Sequence, residues 1–225
     1  MAAKTKELKF LATPEKGETS ALLVRPDTAT HLLVLGHGAS TNMRHANLQT
    51  IAERLADVGI ATLRYNFPYM EHGKGRDPQS VCTATVRSAI AAASKAARDL
   101  HLLAGGHSFG GRMTSTAASE SPLGCVHGLV FFAFPLHQPG KPELKRAEHL
   151  SDVTVPMLFL SGTRDDLAAL HLLQPVCKKL GKQATLHLLD TADHGFRVLK
   201  RSRKSQEDVF EEMARVVREW ASNLS

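Results

Sequence analysis

Apolar positions along the chain follow two periods in turn, short β-type runs alternating with longer helical ones. "ELKFLAT" (7–13) and "TSALLVRP" (19–26), separated by "PEKGE", predict two antiparallel strands joined by a turn. "HLLVLGHG" (31–38) is a continuous apolar run, the pattern of a strand buried on both faces of a parallel sheet. In "NLQTIAERLADVG" (47–59), Leu48, Ile51, Ala52, Leu55 and Val58 share one helical face and Gly59 supplies the stop. The same alternation continues with a strand over 60–67, an alanine-rich helix from Ser80 to Leu100, and a strand over 100–106. It closes with a helix after Ser108, strands over 127–134 and 155–162, a helix over 167–180, a strand over 184–190 and a helix over 205–222.

Strands alternating with helices require right-handed crossovers, hence an α/β fold with a mostly parallel central sheet and helices on both faces. The first two strands form the antiparallel exception. Such sheets bind ligands beyond the carboxyl ends of their strands, so chemistry is expected in the loops that follow strands. No internal repeat and no Pro/Ser-rich linker interrupts the pattern, and 225 residues suit one domain over 1–225.

Composition removes several classes. Hydrophobic residues are 43% and charged residues 22%, the balance of a globular chain and not of a disordered one. No apolar run approaches the roughly 18 residues of a membrane helix, so no membrane partner is expected. The start, "MAAKTKELKF", has no apolar segment or cleavage site of a secretory signal. Three separated cysteines (Cys82, Cys125, Cys177) suit a reducing compartment, and a cytoplasmic location is expected. The net charge of +6 is scattered except for "RVLKRSRK" (197–204), which no aromatic residue interleaves; a solvated loop and no nucleic-acid partner are expected. There is no HExxH, no GxGxxG and no phosphate loop, so no metal and no cofactor is implied. Nothing in the pattern specifies an oligomeric state.

The chemistry concentrates in "LLAGGHSFGGRM" (102–113), where four glycines surround Ser108. Glycine weakens strands and helices alike, so its use here points to a backbone that tolerates nothing larger. Gly106-His107-Ser108-Phe109-Gly110 between a strand and a helix is the pattern of a nucleophile elbow: a strained turn that lifts the serine hydroxyl above the sheet. Gly106 and Gly110 permit the turn, and Gly111 lets the helix pack closely.

A serine hydroxyl needs a base, and the base needs an orienting acid. After such an elbow the acid and then the base follow along the chain. "SGTRDDLA" places Asp165 and Asp166 after the strand over 155–162, and "TADHGF" places His194 after the strand over 184–190. Asp165 is the preferred acid, because Asp166 is better placed to cap the next helix. His187 and His171 lie inside a strand and a helix pattern and are assigned to packing or surface. An oxyanion needs two N–H donors: Phe109, at a helix N-terminus, and Ala39 in "GHGAS", where Gly38 lets the backbone approach a substrate.

With "GHG", "RYNFPY", "GGHSFGGRM", "SGTRD" and "DHGF" in this order, the chain from about residue 20 onward resembles the α/β-hydrolase superfamily, near the dienelactone-hydrolase-like hydrolases. The resemblance implies the α/β-hydrolase fold, a Ser108–Asp165–His194 triad and hydrolysis of carboxyl esters. Dienelactone hydrolases proper use a cysteine nucleophile; Ser108 departs from that pattern and does not carry over dienelactone as substrate.

The expectation is a carboxylesterase-type serine hydrolase acting on small soluble esters through an acyl-enzyme. Thioesters and lactones suit the same machinery, and a binding or scaffold subunit on this fold is the rival from another class. Arg112 stands in the first turn of a helix against the helix dipole, so it needs either an acidic partner or a substrate carboxylate. Arg64 and Tyr65, ending the strand over 60–67, raise the same question with less force, and His72 and His137, in loops after strands, are read as surface histidines over pocket-lining ones. The segment 135–154 is too short for a lid domain, and Gly73 and Gly75 make the loop 68–78 mobile. A minimal cap predicts an open pocket walled by Phe67, Tyr69 and Phe134, with short or compact acyl groups preferred.

Overall fold

The computed structural model describes residues 3–73 and 75–224. The secretory-signal reading falls partly on Met1 and Ala2, and the loop 68–78 includes Lys74; these positions lie outside the described residues. Eight strands form one sheet: β1 (Lys4–Thr13), β2 (Gly17–Arg25), β3 (His31–Gly36), β4 (Ile60–Tyr65), β5 (His101–His107), β6 (Val126–Phe132), β7 (Met157–Gly162) and β8 (Ala184–Leu189). Their order is β1-β2-β4-β3-β5-β6-β7-β8. β1 and β2 pair antiparallel, with Lys4 opposite Arg25, and β2 pairs antiparallel with β4. Every other pairing is parallel.

Strand alternation divides the core into two layers. On β3, Leu32 and Val34 face one layer while Leu33 and Leu35 face the other, all four fully buried. The Leu33 layer is closed by α1 (Ala46–Asp57), through Leu48, Ile51 and Leu55, and by the C-terminal helix (Val209–Ala221), through Met213 and Val217. The Leu32 layer is closed by the helices over Gln79–Ala96, Phe109–Glu120 and Leu170–Leu180. In chain order the remaining helices are α2 (Pro68–Glu71), α3 (Gln79–Ala96), α4 (Phe109–Glu120), α5 (Leu170–Leu180) and α6 (Val209–Ala221). A side chain that is apolar on both faces of a strand therefore has a helix to meet on each side.

Several boundaries differ from the sequence pattern. α3 stops at Ala96 because Ala97 turns to φ −147°, extended backbone that no helix continues. The segment 135–154 holds a 3₁₀ stretch over Lys145–Asp152, seated through Ala147 and Leu150, and no lid domain. α2 is an addition: Pro68 opens it, where the missing N–H costs nothing. The basic run is the expected loop before α6, with Arg197, Lys200, Arg201 and Lys204 exposed; Arg203 alone among its basic residues departs. Arg203 is not solvated; its side chain is 5% exposed, pairs with Glu212 and donates to the Asp190 carbonyl at 2.8 Å. Glu212 also meets His187 Nε2 at 2.8 Å, so this network ties the run to α6 and β8. No described helix is long and apolar enough to cross a membrane.

Candidate active site

β5 delivers Ser108 into a turn at φ 50° and ψ −113°, a backbone conformation that side-chain-bearing residues rarely adopt. The Ser108 N–H donates to the Phe132 carbonyl at 3.0 Å and its own carbonyl accepts from Arg112 N–H at 3.1 Å, so both sides of the turn are fixed. The glycines are explained by close approach. A Cβ on Gly106 would lie 2.6 Å from Gly110 C, Gly111 N and Gly36 O, and one on Gly110 would overlap the Gly36 backbone. α4 thus crosses directly over the ends of β3 and β5.

His194 enters from the loop after β8. Its Nδ1 lies 2.9 and 3.0 Å from the two carboxylate oxygens of Asp165, and its Nε2 lies 2.9 Å from Ser108 Oγ. The carboxylate can only accept, so Nδ1 carries the hydrogen and the Nε2 lone pair faces the serine hydroxyl. Asp165 Oδ1 also accepts from Leu167 N–H at 2.8 Å, and the Asp165 side chain is fully buried. Asp166 is exposed and does not cap a helix, a correction to the sequence reading. α5 begins only at Leu170, after Ala169, because Asp165 engages the intervening turn.

Residues the sequence reading assigned no role hold this chain in place. Asp193 Oδ1 accepts from Gly195 N–H and Arg197 N–H, both at 2.9 Å, and Asn47 Nδ2 donates to the Gly195 carbonyl at 3.0 Å. His107 Nε2 donates to the His194 carbonyl at 3.2 Å. Burial, then the neighbouring His194, pushes the His107 imidazole down to about 4. The signal for Asp193 was in the sequence: an Asp one residue before His-Gly is a turn former.

The loop after β3 is fastened in the same manner. His37 Nε2 accepts from Phe67 N–H at 3.0 Å and Nδ1 donates to the Gly38 carbonyl at 2.7 Å. Burial pushes this imidazole down to about 4. Tyr69 Oη donates to the Ala39 carbonyl at 3.0 Å, which fixes the Ala39–Ser40 peptide, while the His37 bond to the Gly38 carbonyl fixes the Gly38–Ala39 peptide that carries the Ala39 N–H. Phe109 occupies the first position of α4, so its N–H has no intrahelical acceptor.

The aromatic residues expected to wall the pocket lie deeper. Phe67 and Phe134 are 0% and 1% exposed, and Tyr69 is also buried. Phe67 stacks on Tyr69 and meets Phe109 edge-on at 5.4 Å, while Phe134 packs on Phe131 and Phe159. They support the loops from beneath because each can bury its full ring in the Leu32 layer. Arg64 is buried beside β2, where it donates to the Met43 carbonyl at 3.1 Å. His72 meets the Lys16 carbonyl at the surface, and His137 Nε2 accepts from Ala169 N–H, so both are committed to backbone. Among the described residues no cluster of three or more His, Cys, Asp or Glu is placed to hold a metal.

A family model described as an alpha/beta hydrolase domain matches residues 29–222. The chain belongs to the alpha/beta hydrolase family. Solved structures across this family share its architecture over nearly their whole length. A dienelactone hydrolase from Anabaena variabilis has a TM-score of 0.77 at 18% identity, covering 100% of this chain and 99% of that one. A serine hydrolase without a lid from Xanthomonas campestris has a TM-score of 0.72 at 21% identity, covering 98% and 95%. An esterase domain from Rhodothermus marinus has a TM-score of 0.70 at 18% identity, covering 97% and 98%. For this alpha/beta hydrolase the likeness establishes the fold, including the mostly parallel sheet with its antiparallel first strands.

Proposed function

We propose that this single-domain alpha/beta hydrolase is a cytoplasmic carboxylesterase that cleaves small soluble esters through an acyl-enzyme, without a cofactor. The observation that carries the reading is the unbroken hydrogen-bonded chain from Ser108 Oγ through the His194 ring to the buried Asp165 carboxylate.

In this reading Ser108 Oγ attacks the ester carbonyl while His194 Nε2 takes its proton. The same proton then passes to the leaving alcohol as the tetrahedral intermediate collapses to the acyl-enzyme. Water, deprotonated by His194, cleaves the acyl-enzyme and frees the acid. Asp165 keeps the imidazole in the productive tautomer and stabilises its cation. The N–H groups of Phe109 and Ala39 receive the oxyanion, one from a helix terminus and one from a peptide whose carbonyl, on Gly38, His37 holds. A fluorophosphonate probe should label Ser108 in the folded protein and leave Ser108→Ala unlabelled. Folded wild-type protein that takes no label would remove the nucleophile from this assignment.

A further inference from the structure

Arg112 occupies the first turn of α4, where the helix dipole disfavours a cation by roughly 0.3–1 kcal/mol. A structural ion pair would offset this, yet no carboxylate among the described residues pairs with it. Instead the neighbours of Arg112 are cations. Its guanidinium carbon stands 5.5 Å from the centre of the Phe109 ring, and that of Arg76 stands 5.1 Å from the same centre. Arg146, in the 3₁₀ stretch, is anchored by donation to the His137 carbonyl at 2.9 Å and also acts on Arg112 by like charge. Burial and these two cations all disfavour the charged form of Arg112. Asp77, next to Arg76 in the chain, binds Lys16 at 2.7 Å.

Two elements therefore bring guanidinium groups onto the residue that directly follows Ser108, and no carboxylate among the described residues forms an ion pair with either. Guanidinium forks match the planar or tetrahedral oxygens of oxyanions. Phe109 supplies a flat apolar face that holds two of the forks in place.

We propose that Arg76 and Arg112 form an oxyanion subsite, and that the ester cleaved at Ser108 carries a carboxylate or phosphate group near its carbonyl. This rests on the ester-hydrolase reading above and narrows its substrate class.

The test compares matched esters: p-nitrophenyl hydrogen glutarate and p-nitrophenyl 4-phosphonobutyrate against neutral p-nitrophenyl valerate. At low ionic strength kcat/KM should favour an anionic ester by at least about tenfold. The preference should shrink with added salt and collapse toward unity in Arg112→Met and in Arg76→Met, the latter an exposed position that spares the core. The carboxylate and phosphonate arms separate the two oxyanions. Direct titration of wild-type protein with glutarate and 4-phosphonobutyrate should show binding that Arg112→Met weakens by a similar factor. Neutral esters cleaved as fast as anionic ones, with no anion binding, would overturn the subsite and leave the esterase intact. Anion binding lost in Arg112→Met while no ester is cleaved would keep the subsite and overturn the esterase reading.

Discussion

The imidazole of His37 joins two loops: it accepts the Phe67 N–H at 3.0 Å and donates to the Gly38 carbonyl at 2.7 Å. The contact to Phe67 requires the neutral ring, whose Nε2 lone pair accepts, and burial enforces it by holding the group down to about 4 from 6.5. His107 is held down to about 4 in the same way. The unfolded chain takes up these protons near 6.5 while the folded protein resists them to about 4. Stability is therefore fully present above about pH 6.5 and falls as pH drops toward 4, by about 3 kcal/mol for each histidine. Urea unfolding midpoints at pH 7.5, 6, 5 and 4 check this, and His37→Gln should remove about half of the dependence. A midpoint that is constant over that range would contradict the neutral-ring arrangement.

Ser108 is strained by its φ of 50°, so the elbow and stability pull in opposite directions. Ser108→Gly should lose activity by about 10³-fold or more while gaining roughly 0.5–1 kcal/mol in stability, because glycine adopts that φ without cost. Ser108→Ala should lose activity equally and gain no stability. Thermal melts of the two variants side by side decide it: equal melting temperatures would mean the turn stores no strain.

Asp165→Asn should lower kcat by about 10³-fold or more, since an amide can donate to His194 Nδ1 and favour the wrong tautomer. Asp166→Asn, at an exposed position with no cap to lose, should stay within about twofold. Steady-state kinetics on p-nitrophenyl acetate separate the two, and equal losses would refute the choice of Asp165.

Much of this candidate site was legible because Ser108, Asp165 and His194 sit where strands end, and strand ends follow from hydrophobic period. Gly106, Ser108 and Gly110 declare a close crossing even before the Gly36 backbone that makes it close is known. The capping role expected of Asp166 fails because a local rule cannot see that Asp165 already closes the next turn. Phe67 and Phe134 were read as loop side chains walling an open pocket, but burial depends on what packs from distant segments: Phe109 of α4 on Phe67, and Phe159 of β7 on Phe134. The bond from Phe67 to His37 spans thirty positions and leaves no periodic trace. Arg112 was legible as an anomaly, and its cationic neighbours, from distant segments, were not.

The 3₁₀ stretch over Lys145–Asp152 and the short α2 leave the site without a lid. Each methylene gains roughly 0.8 kcal/mol only where apolar wall can bury it, and the largest aromatic rings here are already spent in the core. In a p-nitrophenyl series, kcat/KM should therefore peak at about two to six acyl carbons. A maximum at ten or more, or a jump in rate above the critical micelle concentration, would show a longer pocket.

β1 forms one margin of the sheet, and Lys4, Lys6 and Lys9 stand exposed along it. Its outer row of N–H and C=O groups is a template onto which another strand could add. Two copies approaching there would bring the exposed Lys6 and Lys9 of each together, while Lys4 is paired with Asp27 at 3.3 Å. Some of the charge that makes the chain basic thus stands where it opposes edge-to-edge strand addition.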